Sequence, residues 1–403
     1  MPSSLLLIAI FLIACIATQW IFPNVLNVAF QKNIVDNPDA RKLQRRPVPV
    51  LGGACVFFGV VMGLCFAQLF FDLSSLFPVM CAMTLMLCVG IMDDIIDLSP
   101  KTRFIVEIVV VLVTLCANGY MIDSFHGLWG LSEISVYIAV PLAVVAAVGI
   151  INAINLVDGV DGLSTGYCVM ASSLFGIMAA IVGDWPILVL AVISVGALLP
   201  FFLHNVFGKT TKMFIGDGGT LMMGVMISAF VMNMLNSDAL YDGLASQGMG
   251  LIPFTLAVLA VPVFDTLRVM SARIVRGNSP FKPDKTHLHH LFIELGFSHV
   301  GATVSILSLN TLVVLCWFVA YKLGWSIDVQ LYVVLAMSLA ITFGFYKLMR
   351  MQIAAESGLY RVMQRIGKRT HIERNGVFLF LQKVVDSSRK EQADQPTEEK
   401  KVS

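Results

Sequence analysis

Residues 185–203 read WPILVLAVISVGALLPFFL, a stretch of nineteen residues without a charged side chain. A helix of this length spans about 28 Å, which is close to the thickness of the hydrocarbon core of a bilayer. The run is continuous and lacks the alternation of a barrel strand, so it predicts a transmembrane helix. This segment therefore indicates an integral membrane protein.

The composition of the whole chain agrees with this interpretation. Of its 403 residues, 57% are hydrophobic and 13% are charged, whereas soluble domains carry about 25% charged residues. An ordinary soluble enzyme is therefore excluded. The net charge of +1 argues against a general attraction to nucleic acid, so we expect no nucleic-acid partner.

Ten further apolar runs predict an all-α membrane protein with about eleven transmembrane helices. The predicted spans are 4–22, 50–71, 75–92, 103–119, 135–152, 163–182, 185–203, 214–235, 251–272, 303–321 and 329–349. The first span resembles a signal peptide, but no Lys or Arg precedes Lys32. We therefore expect it to remain as the first helix. The eight cysteines lie in or beside apolar spans and are predicted to be packing residues.

The loops test the number of spans, because alternate loops must lie on the same side of the membrane. With eleven spans, 26 of the 27 Lys and Arg residues lie on one side, and Lys322 lies opposite. Short cytoplasmic loops are enriched in Lys and Arg, so the N-terminus is predicted outside and the C-terminus in the cytoplasm. Residues 1–350 are predicted to form the transmembrane domain. Residues 351–403 are predicted to form a basic, amphipathic cytoplasmic tail that is disordered from Asp386 onward.

Acidic residues in or beside the apolar spans are the main functional signal, because a carboxylate near lipid is costly. Seven of them approach one predicted face of the membrane, together with Asn152 and Asn155. They are Asp93, Asp94, Asp97, Asp158, Asp161, Asp217 and Asp265. Helix caps and loop solvation explain single residues of this kind. They do not explain the adjacent carboxylates of Asp93 and Asp94, which repel each other unless they share a cation.

Two kinds of protein use such a group of carboxylates. An ion-coupled transporter relays protons or binds cations through paired carboxylates, but its sites lie near the midplane of the membrane. A magnesium enzyme that acts on phosphates combines a few carboxylates with water and substrate phosphate. The position of these residues near one membrane face favours the enzyme.

Two further segments point to phosphate chemistry. Residues 214–219 (FIGDGG) place a carboxylate and bare backbone at a helix start, where free N–H groups favour anions and glycine allows close approach. The loop 279–290 carries His287, His289 and His290 beside two lysines. Zinc suits clustered histidines, but no Cys accompanies them and the nearby carboxylates are hard ligands. The loop is therefore predicted to bind an anion.

Six motifs in this order resemble those of the polyprenyl-phosphate N-acetylhexosamine-1-phosphate transferase family. They are RKLQRRPVPVLGG (41–53), MDD (92–94), NAINLVDGVDG (152–162), FIGDGG (214–219), PVFDTL (262–267) and HLHH (287–290). The resemblance covers about residues 30–350 and implies ten or eleven helices around a cytoplasmic cleft in the bacterial inner membrane. It also implies the reaction: a polyprenyl phosphate attacks the sugar-linked phosphate of a UDP-N-acetylhexosamine, which gives polyprenyl diphosphate sugar and UMP.

The resemblance also implies roles for individual residues of this chain. Asp217 is the leading ligand of Mg²⁺, for which Mn²⁺ is the alternative metal. Asp93 is a second metal ligand and the candidate base or guide for the lipid phosphate, and Asp94 lies beside it. Asp93, Asp94 and Asp217 are the residues implied in catalysis. The residues implied in substrate binding are Asn155, Asp158, Asp161, Asn205 and Phe214 at the nucleoside end, His287, His289 and His290 at the diphosphate, and Arg45 or Arg46 at a substrate phosphate. Asp265 is assigned to the site as well, with a buried ion pair to Arg268 or Arg273 as the alternative.

The histidine motif distinguishes two branches of the family. Enzymes that use UDP-MurNAc-pentapeptide usually carry three consecutive histidines, whereas the UDP-GlcNAc branch carries the interrupted H-x-H-H of this chain. Family analogy therefore favours transfer of GlcNAc-1-phosphate to undecaprenyl phosphate, at the start of O-antigen, enterobacterial common antigen or teichoic-acid-type polymers. The peptidoglycan step is the alternative within the family. The sequence is compatible with a homodimer.

Overall fold

In a computed structural model, the described residues are 3–38, 46–237, 239–280, 284–373 and 375–393, and they are mostly helical. The α-helices of these ranges are α1 (Ser3–Gln31), α2 (Gly52–Ala67), α3 (Phe77–Ile96), α4 (Pro100–Asn118), α5 (Val136–Val157), α6 (Leu163–Val182), α7 (Trp185–Phe207), α8 (Gly216–Met234), α9 (Ala239–Ser246), α10 (Leu251–Val258), α11 (Ala260–Val275), α12 (Leu288–Glu294), α13 (His299–Lys322), α14 (Ile327–Leu339), α15 (Tyr346–Ala354), α16 (Gly358–Arg369) and α17 (Gly376–Ala393). Two short antiparallel strands, β1 (Val35–Asp36) and β2 (Val48–Pro49), connect α1 to α2.

Each of the eleven predicted apolar runs falls on one or more of these helices. Seven helices of the described ranges are long and apolar enough to cross a membrane, and α10 with α11 makes an eighth span if the two are counted together. The apolar helix α2, with 16 residues, is shorter than a full crossing. The chain is therefore a multi-pass, all-α membrane protein, as the sequence predicted.

The ninth predicted span is broken rather than continuous, because α10 and α11 meet at an angle of 71°. Pro262 lies in the first turn of α11 and has no N–H to donate across the break. Asn310 of α13 compensates, since its side chain accepts a hydrogen bond from the Val261 N–H and donates one to the Val258 carbonyl, both 2.9 Å long. A side chain from another helix thus satisfies the backbone groups that the break leaves free.

The most buried helix of the bundle is α8. It packs against α3 and α5, and nearly all of its residues from Gly216 to Met234 are buried. A helix that is apolar on all sides belongs in the interior of a large protein or a membrane bundle. The first turn of α8 lies at one end of the bundle, where the ends of neighbouring helices surround it.

The C-terminal region folds onto the bundle. The helix α17 packs against α7, with 5.1 Å between the ring centroids of Phe207 and Phe378. The sequence predicted disorder from Asp386 onward, but α17 continues to Ala393. The physical reason is that the Asp386 carboxylate accepts hydrogen bonds from the loop after α7. Residues 394–403 lie outside the described residues.

Candidate active site

A cavity of about 1280 Å³ lies at one end of the helix bundle, at the N-terminal end of α8. Twelve of the residues predicted for the site line it. They are Arg46, Asp93, Asp94, Asn155, Asp158, Asp161, Asn205, Phe214, Asp217, His287, His289 and His290. Asp265 lies outside the lining, and Arg45 lies outside the described residues.

The acidic centre of the cavity is organised by Arg103 of α4. Its guanidinium lies 3.1 Å from the Asp93 carboxylate and 3.6 Å from that of Asp217. It also donates to the Asn155 side-chain oxygen at 3.4 Å, and the Asn155 amide donates to Asp217 at 2.7 Å. One cation thus holds together side chains from the ends of α3, α5 and α8.

Asp94 acts on the backbone of α8. Its carboxylate accepts hydrogen bonds from the N–H groups of Asp217 and Gly218, at 3.1 and 3.5 Å. The first N–H groups of a helix lack partners within the helix and carry positive character. The sequence suggested that these donors face a substrate phosphate, whereas in the structure Asp94 caps them and thereby orients Asp217.

Behind Arg103 lies Glu107, one turn further along α4 and fully buried. Its carboxylate lies 3.4 Å from the Arg103 guanidinium and accepts a hydrogen bond from the side chain of Asn152. Arg103 is therefore held from behind by Glu107 while it contacts Asp93 and Asp217 in front. Outer partners of this kind fix the orientation of the groups that line a site.

Asp161 forms a second charged cluster in the cavity. The Lys212 ammonium lies 2.6 Å from its carboxylate, and His299 Nδ1 lies 2.8 Å from the same oxygen. Burial alone raises the pKa of Asp161, but the hydrogen bond from His299 and the charge of Lys212 outweigh it and lower this pKa. Asp161 is therefore a paired carboxylate at neutral pH.

Asp158 has a different environment, although it lies only three residues away. The Ser164 hydroxyl donates to it at 2.5 Å. Burial, with smaller contributions from the charges of Asp217 and Asp161, raises the pKa of Asp158 to about 7. Of these two carboxyls in one loop, Asp161 is charged and Asp158 is partly protonated near neutral pH.

Asn205 and Phe214 connect the loops that line the cavity beside these clusters. The Asn205 side chain accepts from the Gly162 N–H at 2.6 Å and donates to the Met213 carbonyl at 2.9 Å. The Phe214 backbone pairs with both ends of the β2–α2 corner, through Pro49 at 2.7 Å and Gly52 at 3.0 Å. Both residues therefore connect loops that line the cavity.

The histidine motif packs directly on the loop 158–162. A side-chain carbon added at Gly159 would lie 2.1 Å from His289 Nε2, so only glycine leaves room for this imidazole. Burial lowers the pKa of His289 well below its ordinary value, and burial and the charge of His287 lower that of His290 to about 4. Both rings are therefore neutral at pH 7, and each carries one N–H donor rather than a positive charge.

Asp265 lies behind the histidines rather than in the cavity. Its carboxylate contacts Arg268 at 2.5 Å and His287 Nδ1 at 2.9 Å. Of the two buried ion pairs considered from the sequence, the structure contains the one with Arg268. His287 Nε2 has no hydrogen-bond partner among the described residues. Asp265 holds the other ring nitrogen, Nδ1, and therefore affects the cavity by orienting His287.

Four residues of the site were not predicted as such: Arg103, Glu107, Lys212 and His299. Arg103 and Glu107 had a usable signal, because an Arg and a Glu four residues apart lie on one helix face. Glu107 is also a carboxylate inside a predicted span, which marks function by default. Lys212 and His299 meet at Asp161 from distant parts of the chain, and nothing in their local sequence indicates this.

The donor set of the acidic centre is compatible with Mg²⁺. Within the described ranges, no three His, Cys, Asp or Glu side chains are arranged to hold a metal ion by themselves. Mg²⁺ usually binds through one or two carboxylates and keeps water and substrate phosphate as its other ligands. Asp93 and Asp217 supply hard oxygen atoms that already converge on one cation, Arg103, so this pair fits the requirement.

Comparison with known proteins identifies the chain's relatives. The family model of glycosyl transferase family 4 matches residues 76–235. The undecaprenyl-phosphate alpha-N-acetylglucosaminyl 1-phosphate transferase of Salmonella typhi is 31% identical over 288 residues, which cover 69% of this chain and 74% of the relative. A probable undecaprenyl-phosphate N-acetylglucosaminyl 1-phosphate transferase of Bacillus subtilis (strain 168) is 28% identical over 295 residues, covering 73% of this chain and 79% of the relative.

The fold and the cavity define a multi-pass membrane transferase whose polar groups meet at the ends of its helices. The chain belongs to glycosyl transferase family 4, in the branch of the undecaprenyl-phosphate N-acetylglucosaminyl 1-phosphate transferases. Family membership confirms the resemblance drawn from the motifs and favours a transferase over an ion-coupled transporter.

Proposed function

We propose that the protein transfers N-acetylglucosamine-1-phosphate from UDP-GlcNAc to undecaprenyl phosphate and releases UMP. The observation that carries this proposal is that Asp93 and Asp217 line one cavity at the helix ends, with the Arg103 guanidinium 3.1 and 3.6 Å from their carboxylates. A water-soluble nucleotide and a lipid phosphate can meet only near a membrane surface. The names of the relatives support GlcNAc as the sugar and undecaprenyl phosphate as the acceptor.

The proposed chemistry is a direct displacement at phosphorus. An anionic oxygen of the lipid phosphate forms a bond to the sugar-linked phosphorus, and the bond from that phosphorus to the UMP oxygen breaks. Arg103 offsets the charges of the Asp93 and Asp217 carboxylates, and the neutral imidazoles of His289 and His290 are placed to donate hydrogen bonds to the diphosphate. A Mg²⁺ ion held by Asp93 and Asp217 supplies further charge neutralisation when it is bound, as in other phosphoryl transfers.

We further propose eleven crossings of the bacterial inner membrane, with the N-terminus outside and the cavity and C-terminus on the cytoplasmic side. Every connection that the charge pattern predicts to be cytoplasmic contributes to this one cavity. The contributing residues include Asp36 and Arg46, Asp97, Asp158 and Asp161, Lys209 and Lys212, and Asp284 and Lys285. The alternation of loop sides supports this topology, and the enrichment of basic residues in cytoplasmic loops supports its orientation.

The test uses the purified full-length protein with undecaprenyl phosphate and radiolabelled UDP-GlcNAc. We expect label in the lipid fraction and equimolar UMP, with neither product when either substrate is omitted. A second reaction contains UDP-MurNAc-pentapeptide, and faster transfer from that donor would overturn the choice of sugar. The variant Asp217→Asn should fold and lose transfer. The control Asp123→Asn, which changes a half-buried carboxylate bonded to Ser237, should retain it. Near-normal turnover by Asp217→Asn would contradict the role of the acidic centre.

A further inference from the structure

The C-terminal region contributes to the wall of the active-site cavity. We define the C-terminal strap as residues 370–373 and 375–386, which join the end of α16 to the middle of α17. Four of its side chains line the cavity: His371, Glu373, Phe378 and Gln382. The sequence predicted a basic, amphipathic cytoplasmic tail here, and in the structure the strap shares one cavity with Asp217 and His289.

One end of the strap is fixed by Asp386. Its carboxylate accepts hydrogen bonds from three consecutive backbone N–H groups, those of Lys209, Thr210 and Thr211, at 3.1, 3.0 and 3.2 Å. The Thr211 hydroxyl donates a fourth at 3.0 Å. Successive N–H groups that point to one side form a concave anion site, and the side chain of Asp386 fills it.

The protonation of Asp386 agrees with this arrangement. Burial by itself raises the pKa of this carboxyl, but the hydrogen bonds from Thr211 and Thr210 outweigh burial and lower it. Asp386 is therefore an anion at neutral pH. Hydrogen bonds to an ionised acceptor are about twice as strong as neutral ones, so this contact fixes α17 firmly to the loop after α7.

The other end of the strap is fixed by Thr370. The Ser298 N–H donates to the Thr370 hydroxyl at 2.9 Å, and the Ser298 hydroxyl donates to the Thr370 carbonyl at 2.6 Å. A side-chain carbon added at Gly301 would lie 2.2 Å from the Thr370 hydroxyl oxygen. These hydrogen bonds and the close approach of the Thr370 side chain to Gly301 fix the end of α16 to the start of α13.

Both attachment points lie next to the Asp161 cluster. Lys212 directly follows the three N–H groups that hold Asp386, and His299 directly follows Ser298. Lys212 and His299 are the two side chains that pair with the Asp161 carboxylate. The strap therefore connects the two loops that carry Lys212 and His299, and its side chains line the cavity between them.

We propose that the C-terminal strap forms the outer wall of the nucleotide end of the active site, and that Asp386 is a positioning residue for binding of the sugar nucleotide. The proposal rests on the proposed function, because it assigns the Asp161 side of the cavity to the nucleoside diphosphate. A wall at this position holds the loops of Lys212 and His299 in place. The lipid phosphate approaches from the bilayer and does not depend on the strap.

The test compares steady-state constants of Asp386→Ala, Asp386→Asn and Ser387→Ala in the full-length protein. For Asp386→Ala we expect KM for UDP-GlcNAc to rise about tenfold, because hydrogen bonds to a charged group are lost. We expect kcat and KM for undecaprenyl phosphate to stay within twofold, and the inhibition constant of UMP to rise in parallel. In Asp386→Asn the amide oxygen still accepts N–H bonds, so this variant should recover most of the affinity. Ser387→Ala is the matched control, since its hydroxyl bonds only to the carbonyl of Val384 in its own helix.

The outcomes separate this inference from the proposed function. A wild-type protein that releases no UMP would overturn the proposed function itself. An active wild type with unchanged KM for UDP-GlcNAc in Asp386→Ala would overturn the strap alone. If Asp386→Ala does not fold, Phe378→Ala takes its place, because it removes a wall side chain without touching the loop after α7. An unchanged KM in that variant would equally contradict the proposal.

Discussion

The substitution Gly90→Ala should displace Asp217 without changing any polar group of the site. Gly90 lies on α3 where this helix crosses the first turn of α8. A side-chain carbon at this position would lie 2.4 Å from the backbone nitrogen and Cα of Gly218 and 2.5 Å from the carbonyl carbon of Asp217. Real contacts of this kind are longer than 3.0 Å. Since the neighbours are backbone atoms, α8 itself has to move.

The size of the effect follows from this geometry. Restoring an ordinary contact requires a shift of about 1 Å between α3 and α8, and misplacement by this distance costs about 100-fold in rate. Overpacking of a close contact also destabilises a fold by about 1–3 kcal/mol. The matched control is Gly149→Ala on α5, where an added carbon meets no atom within 4 Å. That change should leave the rate unchanged and stabilise the helix by about 0.5–1 kcal/mol.

The assay measures initial rates of UMP release at saturating concentrations of both substrates, with a thermal unfolding curve for each variant in the same detergent. Gly90→Ala should remain folded at the assay temperature, unfold at a lower temperature than wild type, and lose about two orders of magnitude in kcat. Gly149→Ala should match wild type in rate. A Gly90→Ala protein with a rate within threefold of wild type would refute the inference that this contact positions Asp217.

Three further predictions concern the same cavity. Chelation with EDTA should abolish transfer and addition of Mg²⁺ should restore it; full activity after dialysis against EDTA would contradict a metal at Asp93 and Asp217. The variant Glu107→Gln keeps the shape of the side chain but removes the charge behind Arg103. It should lower kcat about 10–100-fold with little change in expression. A wild-type rate would contradict the supporting role of Glu107. The pKa of His290 is lowered to about 4 in the folded protein. As the pH falls, the unfolded chain therefore binds a proton before the folded protein does, and the free energy of unfolding decreases between about pH 6.5 and 4. Unfolding curves at pH 6.5 and 4.5 should therefore differ less for His290→Gln than for wild type, and equal differences would refute this contribution.

The sequence was sufficient for the helical fold, because each helix of the bundle shows its own apolar run. It was not sufficient for the break between α10 and α11. That break depends on Asn310, which lies about fifty residues further along the chain and satisfies backbone groups on both sides of it. The sequence was likewise insufficient for the contacts of the C-terminal region. Nothing in the local sequence distinguishes Asp386 from the other polar residues around it, and only the structure shows its three backbone donors.

For the candidate site, too, the local sequence predicted which residues take part but not the contacts between distant segments. The motifs named residues that the structure gathers around one cavity, because a motif records residue types at fixed spacing. Their arrangement depends on helices that meet from distant parts of the chain. The glycines of residues 216–219 illustrate this, since the sequence suggested an approach of phosphate. In the structure, Gly218 and Gly219 allow α3 and α2 to approach α8, at Gly90 and Gly53.

The charges of the cavity raise a physical difficulty, because a site rich in carboxylates has to admit an anionic diphosphate. The structure pairs several of the carboxylates in and beside this cavity with basic side chains or backbone donors. The pairs are Asp93 and Asp217 with Arg103, Glu107 with Arg103, Asp94 with the N-terminus of α8, Asp161 with Lys212 and His299, and Asp284 with Arg273. Pairing of this kind removes much of the repulsion that isolated carboxylates would exert on a phosphate.

Asp158 differs from these residues because its partner, Ser164, is neutral. Its pKa of about 7 means that it carries only part of a negative charge at neutral pH. An approaching diphosphate raises this pKa further, since a second negative charge favours the protonated form. A protonated Asp158 is a hydrogen-bond donor and no longer repels an anion. The cavity therefore contains a carboxyl, that of Asp158, which can take up a proton when an anion binds beside it.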